Sequence, residues 1–400
     1  MTARSRQLAV LVGGNFFLTL GFSIIMPILP YYSNSMGASA LDLGLLMAIY
    51  SVMQFLVTPF WGHMSDRVGR KPIFLIGLFG YGFSFLIYGV ATQLWMLFAA
   101  RALGGLIAGG IYPASLAYIA DVTEPQERGR IMGLLGAASG VGMIFGPSVA
   151  GILAAWGLTV PFFATAVAAI AFGIAGYFLL KESHAVSVHR LQAKIRIVDP
   201  LQTPLGVMFL LTMLVTFLIS GFQGIFAYYM LGRFGMIETP SPMPLLNGSI
   251  TVTGPTVMAI LFTVMGIAGV LCQGVLVGRF ITFFGERKTI LIGMIVSSAS
   301  FFLLLLAPEL ISLMFFASTL SVGTGLATPC INGLVSGKTA EERQGAVMGV
   351  LGSYSSLGRI AGPPAGGLAY DINIYLPYLL SGILSAAGAI AISLANRRKR

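Results

Sequence analysis

The stretch GRIMGLLGAASGVGMIFGPSVAG, residues 129–151, returns as GAVMGVLGSYSSLGRIAGPPAGG at residues 345–367, shifted by 216 positions without a gap. Gly129, Gly133, Gly136, Gly142, Gly146, Pro147 and Gly151 fall on Gly345, Gly349, Gly352, Gly358, Gly362, Pro363 and Gly367. The same shift pairs Gly62 and Gly69 with Gly278 and Gly285, and Gly109 and Pro113 with Gly325 and Pro329. A glycine-rich chain matches itself in places by chance, but not at one constant shift across several helices. The chain is therefore read as two related halves. Small residues at this density let helices approach closely in lipid.

The rest of the composition agrees. The 400 residues are 56% hydrophobic and 9% charged, with a mean hydropathy of +0.90. A water-soluble domain carries about 25% charge, so the solvent of this chain is largely hydrocarbon. A span needs about 20 apolar residues. Twelve stretches supply them: Leu8–Tyr32, Leu43–Gly62, Pro72–Ala91, Leu94–Ile119, Ile131–Ala154, Val160–Leu180, Pro204–Leu231, Pro255–Gly278, Thr289–Ala307, Ile311–Val335, Ala346–Tyr370 and Tyr375–Ala395. The first lacks a small-residue cleavage site and is expected to be a retained helix, not a signal peptide.

Lys and Arg alternate between loops. Twenty of the 23 lie before the first span, after the last, or in every second loop; Arg233 is the one base of the other loop set, and Arg101 and Arg359 lie inside spans. By the positive-inside rule both termini are cytoplasmic, and the span count is even. The net charge of +10 is spread over these short clusters, so it does not suggest a nucleic-acid partner. The expected organisation is an N-terminal six-helix bundle over 1–180, a basic cytoplasmic linker over 181–203 and a C-terminal six-helix bundle over 204–400. The outer connection 232–254, with Pro240, Pro242 and Pro244, is expected to be an irregular cap. Its Asn247-Gly248-Ser249 fits a glycosylation acceptor only as a short chance match. Cys272 and Cys330 sit in apolar runs and read as packing residues.

Between the second and third spans the chain reads GHMSDRVGRKP, residues 62–72. It resembles the loop signature of the major facilitator superfamily at every defined position: Gly62, Asp66, Arg67, Gly69, Arg70, Lys71 and Pro72. In the fifth span Gly142, Gly146, Pro147 and Gly151 are similar to that family's antiporter signature, with Ala150 in place of one glycine. Gly21, Pro27 and Pro30 in the first span and Arg101 and Gly105 in the fourth resemble further elements of the twelve-helix drug:proton antiporters. The stretch from Pro363 to Asp371 resembles the multidrug members of Gram-positive bacteria. The resemblance implies an all-α membrane protein of two pseudo-symmetric six-helix bundles. It further implies a secondary exporter of amphiphilic organic compounds or drugs, proton-coupled, monomeric, in the cell inner (plasma) membrane. The loop acids and bases, Asp66 above all, would gate the cytoplasmic side, and the glycines of the fifth span would mark the exporting direction. A dedicated metabolite exporter or a nutrient importer of the same fold is the alternative.

Polar residues inside a bilayer are costly and usually functional. Arg101, Gln223, Asn15, Tyr112, Gln54 and Asn332 are the candidates for a central cavity, with Phe222 and Phe226 as stacking faces. None of the twelve spans contains Asp or Glu. Related multidrug exporters carry Glu in the seventh span about where Gln223 stands, and an amide cannot titrate. The acids left for coupling are Asp66, Asp121 and, at the span boundaries, Asp42, Glu309 and Asp371. No H-E-x-x-H or G-x-S-x-G occurs, and GLVSGKT at residues 333–339 falls one residue short of a phosphate-binding loop. The expected class is a transporter, not an enzyme, with no cofactor and no metal, and with a small molecule and membrane lipid as its partners.

Overall fold

A computed structural model describes residues 3–183, 199, 205–246, 248–340 and 343–397. Most of the expected linker, Asn247 and the last three basic residues lie outside the described residues. Among the described residues fourteen α-helices run in chain order: α1 Ala3–Asn34, α2 Ala40–Val68, α3 Arg70–Val90, α4 Leu94–Ala108, α5 Ile111–Val122, α6 Pro125–Ala154, α7 Val160–Leu179, α8 Gly206–Phe234, α9 Gly254–Leu271, α10 Val277–Phe284, α11 Glu286–Leu306, α12 Leu310–Gly337, α13 Gln344–Ile372 and α14 Leu376–Arg397. A π-helical turn, Cys272–Leu276, joins α9 to α10. Among the described residues, eleven helical stretches are long and apolar enough to cross a membrane, counting α4 with α5 and α9 with α10. The remaining long helix, α13, has 29 residues but is rich in Gly, Ser and Pro and carries Arg359 and Asp371, so it is less apolar.

Contacts divide the chain into two compact units. One comprises residues 1–38 and 49–190; the other comprises residues 39–48 and 191–400. Packing within them follows the sequence repeat. In the first, α1 packs on α6 and α7, and α3 on α4 and α7; in the second, α8 packs on α13 and α14, and α11 on α12 and α14.

The glycines of the repeated stretch explain the tightest of these contacts. A Cβ at Gly142 would stand 2.6 Å from the Phe16 carbonyl oxygen, and one at Gly146 2.7 Å from that of Leu20. In the second unit a Cβ at Gly358 would stand 2.4 Å from the Met213 oxygen, and one at Gly362 2.4 Å from that of Phe217. Ser23 donates its hydroxyl to the Gly142 oxygen at 3.0 Å, and Ser220 donates to the Gly358 oxygen at 3.3 Å. Backbone meets backbone in both halves, bridged by a serine on the partner helix. The helix that the antiporter-like glycines approach is thus α1, inside their own unit.

Three local features differ from the simplest reading of the spans. The fourth span breaks at Gly109-Gly110 into α4 and α5. Pro113 has no N–H to give the Gly109 carbonyl, and the two glycines there hold the helix weakly. Its repeat partner, Pro329, sits within the continuous α12. The connection over 232–254 is not an irregular cap: Ser241–Leu245 (β1) and Gly248–Val252 (β2) form an antiparallel hairpin. Pro242 and Pro244 stand two apart, so both missing N–H groups fall on one edge of a two-stranded ribbon, where proline is tolerated. Met243 between them is fully buried. Arg233 also has a structural explanation: it donates to the Leu305 and Ala307 carbonyls at 2.6 and 2.8 Å, capping the C-terminus of α11.

Candidate functional site

Gly69 ends the loop between the second and third spans at φ +112°, a conformation that glycine alone adopts readily. Its repeat partner Gly285 has φ +76°, and both residues precede a helix directly. The turn throws Arg70 back under α2, where it is 7% exposed. Its guanidinium donates to Asp66 at 2.5 Å, to Ser65 at 3.2 Å and to Asp121 at 3.3 Å. One cation therefore binds the end of α2 to the end of α5. Lys71 donates to the Tyr177 carbonyl at 2.8 Å, while Arg67 is exposed. Gly62 has open space around its Cβ position, so packing does not account for glycine there.

Glu182, just past α7, is the member of this cluster that the sequence does not announce. It accepts from the Arg70 backbone N–H at 2.8 Å, and a Cβ on Gly69 would stand 2.4 Å from its carboxylate. Its neighbours are tied down as well. Tyr118 donates to the Lys181 carbonyl at 2.6 Å, and Ser183 donates to Asp121 at 3.1 Å. Removing the acceptor in Glu182→Ala is expected to cost about 1 kcal/mol of stability, the value of one lost hydrogen bond. Glu182→Gln keeps an acceptor oxygen and should retain the stability. Unfolding temperatures check both, and an equal loss in the two variants would contradict the hydrogen-bonding role.

Arg101 lies within the first unit at 2% exposure, in a pocket with Tyr50, Tyr81, Ser84, Phe85 and Tyr88. Its guanidinium stands 5.6 Å from the Tyr50 ring centroid, a cation–π distance. Gly105, one turn on, explains the spacing of the R-x-x-x-G element. A Cβ there would meet the Tyr50 carbonyl oxygen at 2.4 Å, so the glycine lets α2 come close enough to lay Tyr50 over the arginine.

The second unit holds a cavity of about 210 Å³ lined by Thr212, Thr216, Thr328, Asn332, Ser355 and apolar neighbours from α8, α12 and α13. Asn332 is the one cavity candidate from the sequence that lines it. Sequence alone does not mark the hydroxyls, because single Ser and Thr residues in apolar helices usually bond their own backbone, as Thr216 does to the Thr212 carbonyl at 2.8 Å.

The other candidates are dispersed. Asn15 is fully buried, donating to Ser115 at 2.7 Å and to the Leu11 carbonyl at 2.9 Å, as a tie between α1 and α5. Phe222 and Phe226 are 2% and 0% exposed and stack on each other at 4.6 Å, within a cluster that includes Tyr229 and Tyr378. One side of Phe222 lines a small apolar pocket between α8, α11, α13 and α14. Gln54 and Gln223 are partly exposed, and Tyr112 is 45% exposed.

Two of the boundary acids serve as helix caps. Asp42 accepts from the Ser39 N–H at 2.9 Å while Ser39 accepts from the Asp42 N–H at 3.1 Å, a reciprocal box at the start of α2. Glu309 and Ser312 form the corresponding box on α12, and Glu309 also accepts from the Leu246 N–H in the hairpin turn. Asp371 accepts from the Leu41 N–H at 3.2 Å. In the connection between α8 and α9, burial lifts the Glu238 carboxyl above its ordinary range. No cluster of His, Cys, Asp and Glu suited to a metal occurs among the described residues.

Two repeated six-helix units, a glycine-hinged loop clamped by a buried arginine and intramembrane pockets between helices are the parts of a secondary transporter. The family model of the Major Facilitator Superfamily matches residues 11–243 and 208–400, so it covers each half in turn. The chain belongs to the Major Facilitator Superfamily and is a multi-pass membrane protein of its transporter fold. It is 28% identical over 390 residues to Multidrug resistance protein 2 of Bacillus subtilis (strain 168), covering 95% of this chain and 92% of that one. It is 27% identical over 402 residues to the Quinolone resistance protein NorA of Staphylococcus aureus (strain COL), covering 99% and 98% of the two chains. Among solved structures, a bacterial homolog of the human lysosomal transporter Spinster, inward-facing and occupied, superposes with a TM-score of 0.80 at 14% identity, over 99% of this chain and 97% of that one.

Proposed function

We propose that this chain is a secondary exporter of amphiphilic organic compounds, drugs among them, working by alternating access and driven by protons. In this reading it acts as a monomer in the plasma membrane with both termini cytoplasmic. The loop Gly62–Pro72 then lies on the cytoplasmic side, and the Asp66–Arg70–Asp121 cluster holds it in one of its two states. The observation that carries the reading is the cavity at Asn332: about 210 Å³, mostly apolar, with hydroxyls and one amide and no fixed charge. Such a lining binds amphiphiles through apolar contact and a few adaptable hydrogen bonds. The full-length likeness to multidrug resistance proteins supports the same conclusion. Asp66 and Asp121 are the acids proposed for coupling, because they share one buried guanidinium and a proton on either would loosen that clamp.

One observation favours a second reading. With Gln223 on α8 and no acid in the spans, export could run down the substrate's own gradient with no proton in the cycle.

Efflux of ethidium from loaded cells tests the exporting direction. Cells making the protein should clear the dye faster than cells with an empty vector, and equal rates would remove the exporter reading. Within the cavity, Asn332→Ala is expected to raise the KM for a transported amphiphile by roughly fivefold, from one lost hydrogen bond, with little change in the maximal rate. An unchanged KM would move the binding site elsewhere.

A further inference from the structure

The cavity at Asn332 has a hydrogen-bonding sense as well as an apolar wall. Three of its hydroxyls have already given their protons to their own helices. Thr212 donates to the Met208 carbonyl at 3.0 Å, Thr216 to the Thr212 carbonyl at 2.8 Å and Thr328 to the Thr324 carbonyl at 3.0 Å. A hydroxyl has one proton and two lone pairs, so each threonine keeps only acceptor capacity for an occupant. Asn332 and Ser355, the other polar side chains of the lining, can act in either sense. The balance favours an occupant that brings donors. Charge does not override this preference, since no ionisable side chain is among the described residues that line the cavity.

We propose that the cavity takes an aromatic ring bearing N–H or O–H donors, an aryl amine or a phenol, and discriminates against rings that lack them. This rests on the reading of the cavity as the site of the exported compound. Space sets the ring as the unit that enters. An apolar cavity of about 150 Å³ holds a benzene ring, and the room here is about 210 Å³, enough for one substituted ring, whole or as the end of a larger compound. Val215, Ile331, Met348 and Leu351 supply the apolar surface against which it would pack. The donors would then meet the threonine oxygens of α8 and α12. A site whose polar groups are set to receive a donor discriminates against the analogue without one, because those groups are left unpaired.

Ethidium carries amino groups on its aromatic rings and serves as the probe, with the full-length protein in lipid nanodiscs. Its binding is read by fluorescence anisotropy against empty nanodiscs. Two analogues keep the ring system and the charge and compete with it. One has hydrogen in place of each amino group; the other has methoxy groups, which accept but do not donate. Both should bind about fivefold or more weakly than ethidium, the effect of at least one lost hydrogen bond. Thr212→Val with Thr328→Val keeps the side-chain shape and removes two acceptors, and should bring the three compounds close together in affinity. A methoxy analogue that binds as well as ethidium would overturn the proposal, and so would a donor preference that survives in the double variant. If either result comes with weaker ethidium binding in Asn332→Ala, the cavity still stands as the binding site. Equal binding of ethidium to the wild type and Asn332→Ala would overturn the cavity reading, and this proposal with it.

Discussion

Gly146→Val is expected to abolish export and to lower the unfolding temperature of the protein sharply. At that position the first added carbon would stand 1.8 Å from the Ser23 hydroxyl and 2.7 Å from the Leu20 carbonyl oxygen. The serine can turn away, but the backbone of α1 cannot, so the helix pair must spread. Overpacking of this kind costs about 3 kcal/mol. The control is on the same helix: Gly136 has nothing within 4 Å of its Cβ position, and Gly136→Val should change little. Because the contact recurs, Gly362→Val in α13 should behave like Gly146→Val, blocked by the Phe217 carbonyl at 2.4 Å. Unfolding temperatures in detergent, alongside ethidium efflux, check the set. A Gly146→Val protein as stable as Gly136→Val would mean that close approach of α6 to α1 is not what the glycine provides.

Arg70→Met should be nearly as damaging, for an electrostatic reason. Arg70 is the cation that holds Asp66 and Asp121 together, and it is 8% exposed at its side chain against 40% and 16% for the two acids. Removing one member of a buried pair costs about 3 kcal/mol or more. The exposure of Asp66 lowers the share that comes from that partner, so the loss should come mainly through Asp121. Pairing Arg70→Met with Asp121→Asn should restore part of the stability, since the second change removes the charge left behind. Arg67→Met, at an exposed position, should be close to neutral for stability. Asp66→Asn should insert normally and export poorly. Full transport by Asp66→Asn would remove the clamp from the mechanism.

Much of this architecture is legible in the chain because lipid imposes simple rules. Span length, the alternation of Lys and Arg, and the shift of 216 need no tertiary knowledge, and the packing of α1 on α6 and α8 on α13 follows the repeated glycines. The hairpin at 241–252 was hidden by its prolines, which read as breakers until the register shows both on one edge. Site residues were harder. Arg101 and Arg70 stand out because charge in or near hydrocarbon is rare. Glu182 does not, since it follows a span and looks like the start of a linker; only the fold brings it to Gly69. Asn15 and Phe226 show how one residue type serves two uses. A polar or aromatic residue in a span suggests a cavity, yet hydrogen bonds between helices and ring stacking in the core use the same residue types. The cavity at Asn332 is assembled from three helices distant in sequence, so periodicity along any one of them could not reveal it.

Proton-driven export can be measured directly in everted membrane vesicles. A pH jump that acidifies the interior is imposed without ATP, and uptake of a lipophilic cation such as ethidium is followed. The account predicts rapid accumulation that needs the gradient, collapses on adding a protonophore and is lost in Asp66→Asn. Accumulation at the same rate with no gradient, or none in vesicles shown to contain the folded protein, would contradict it.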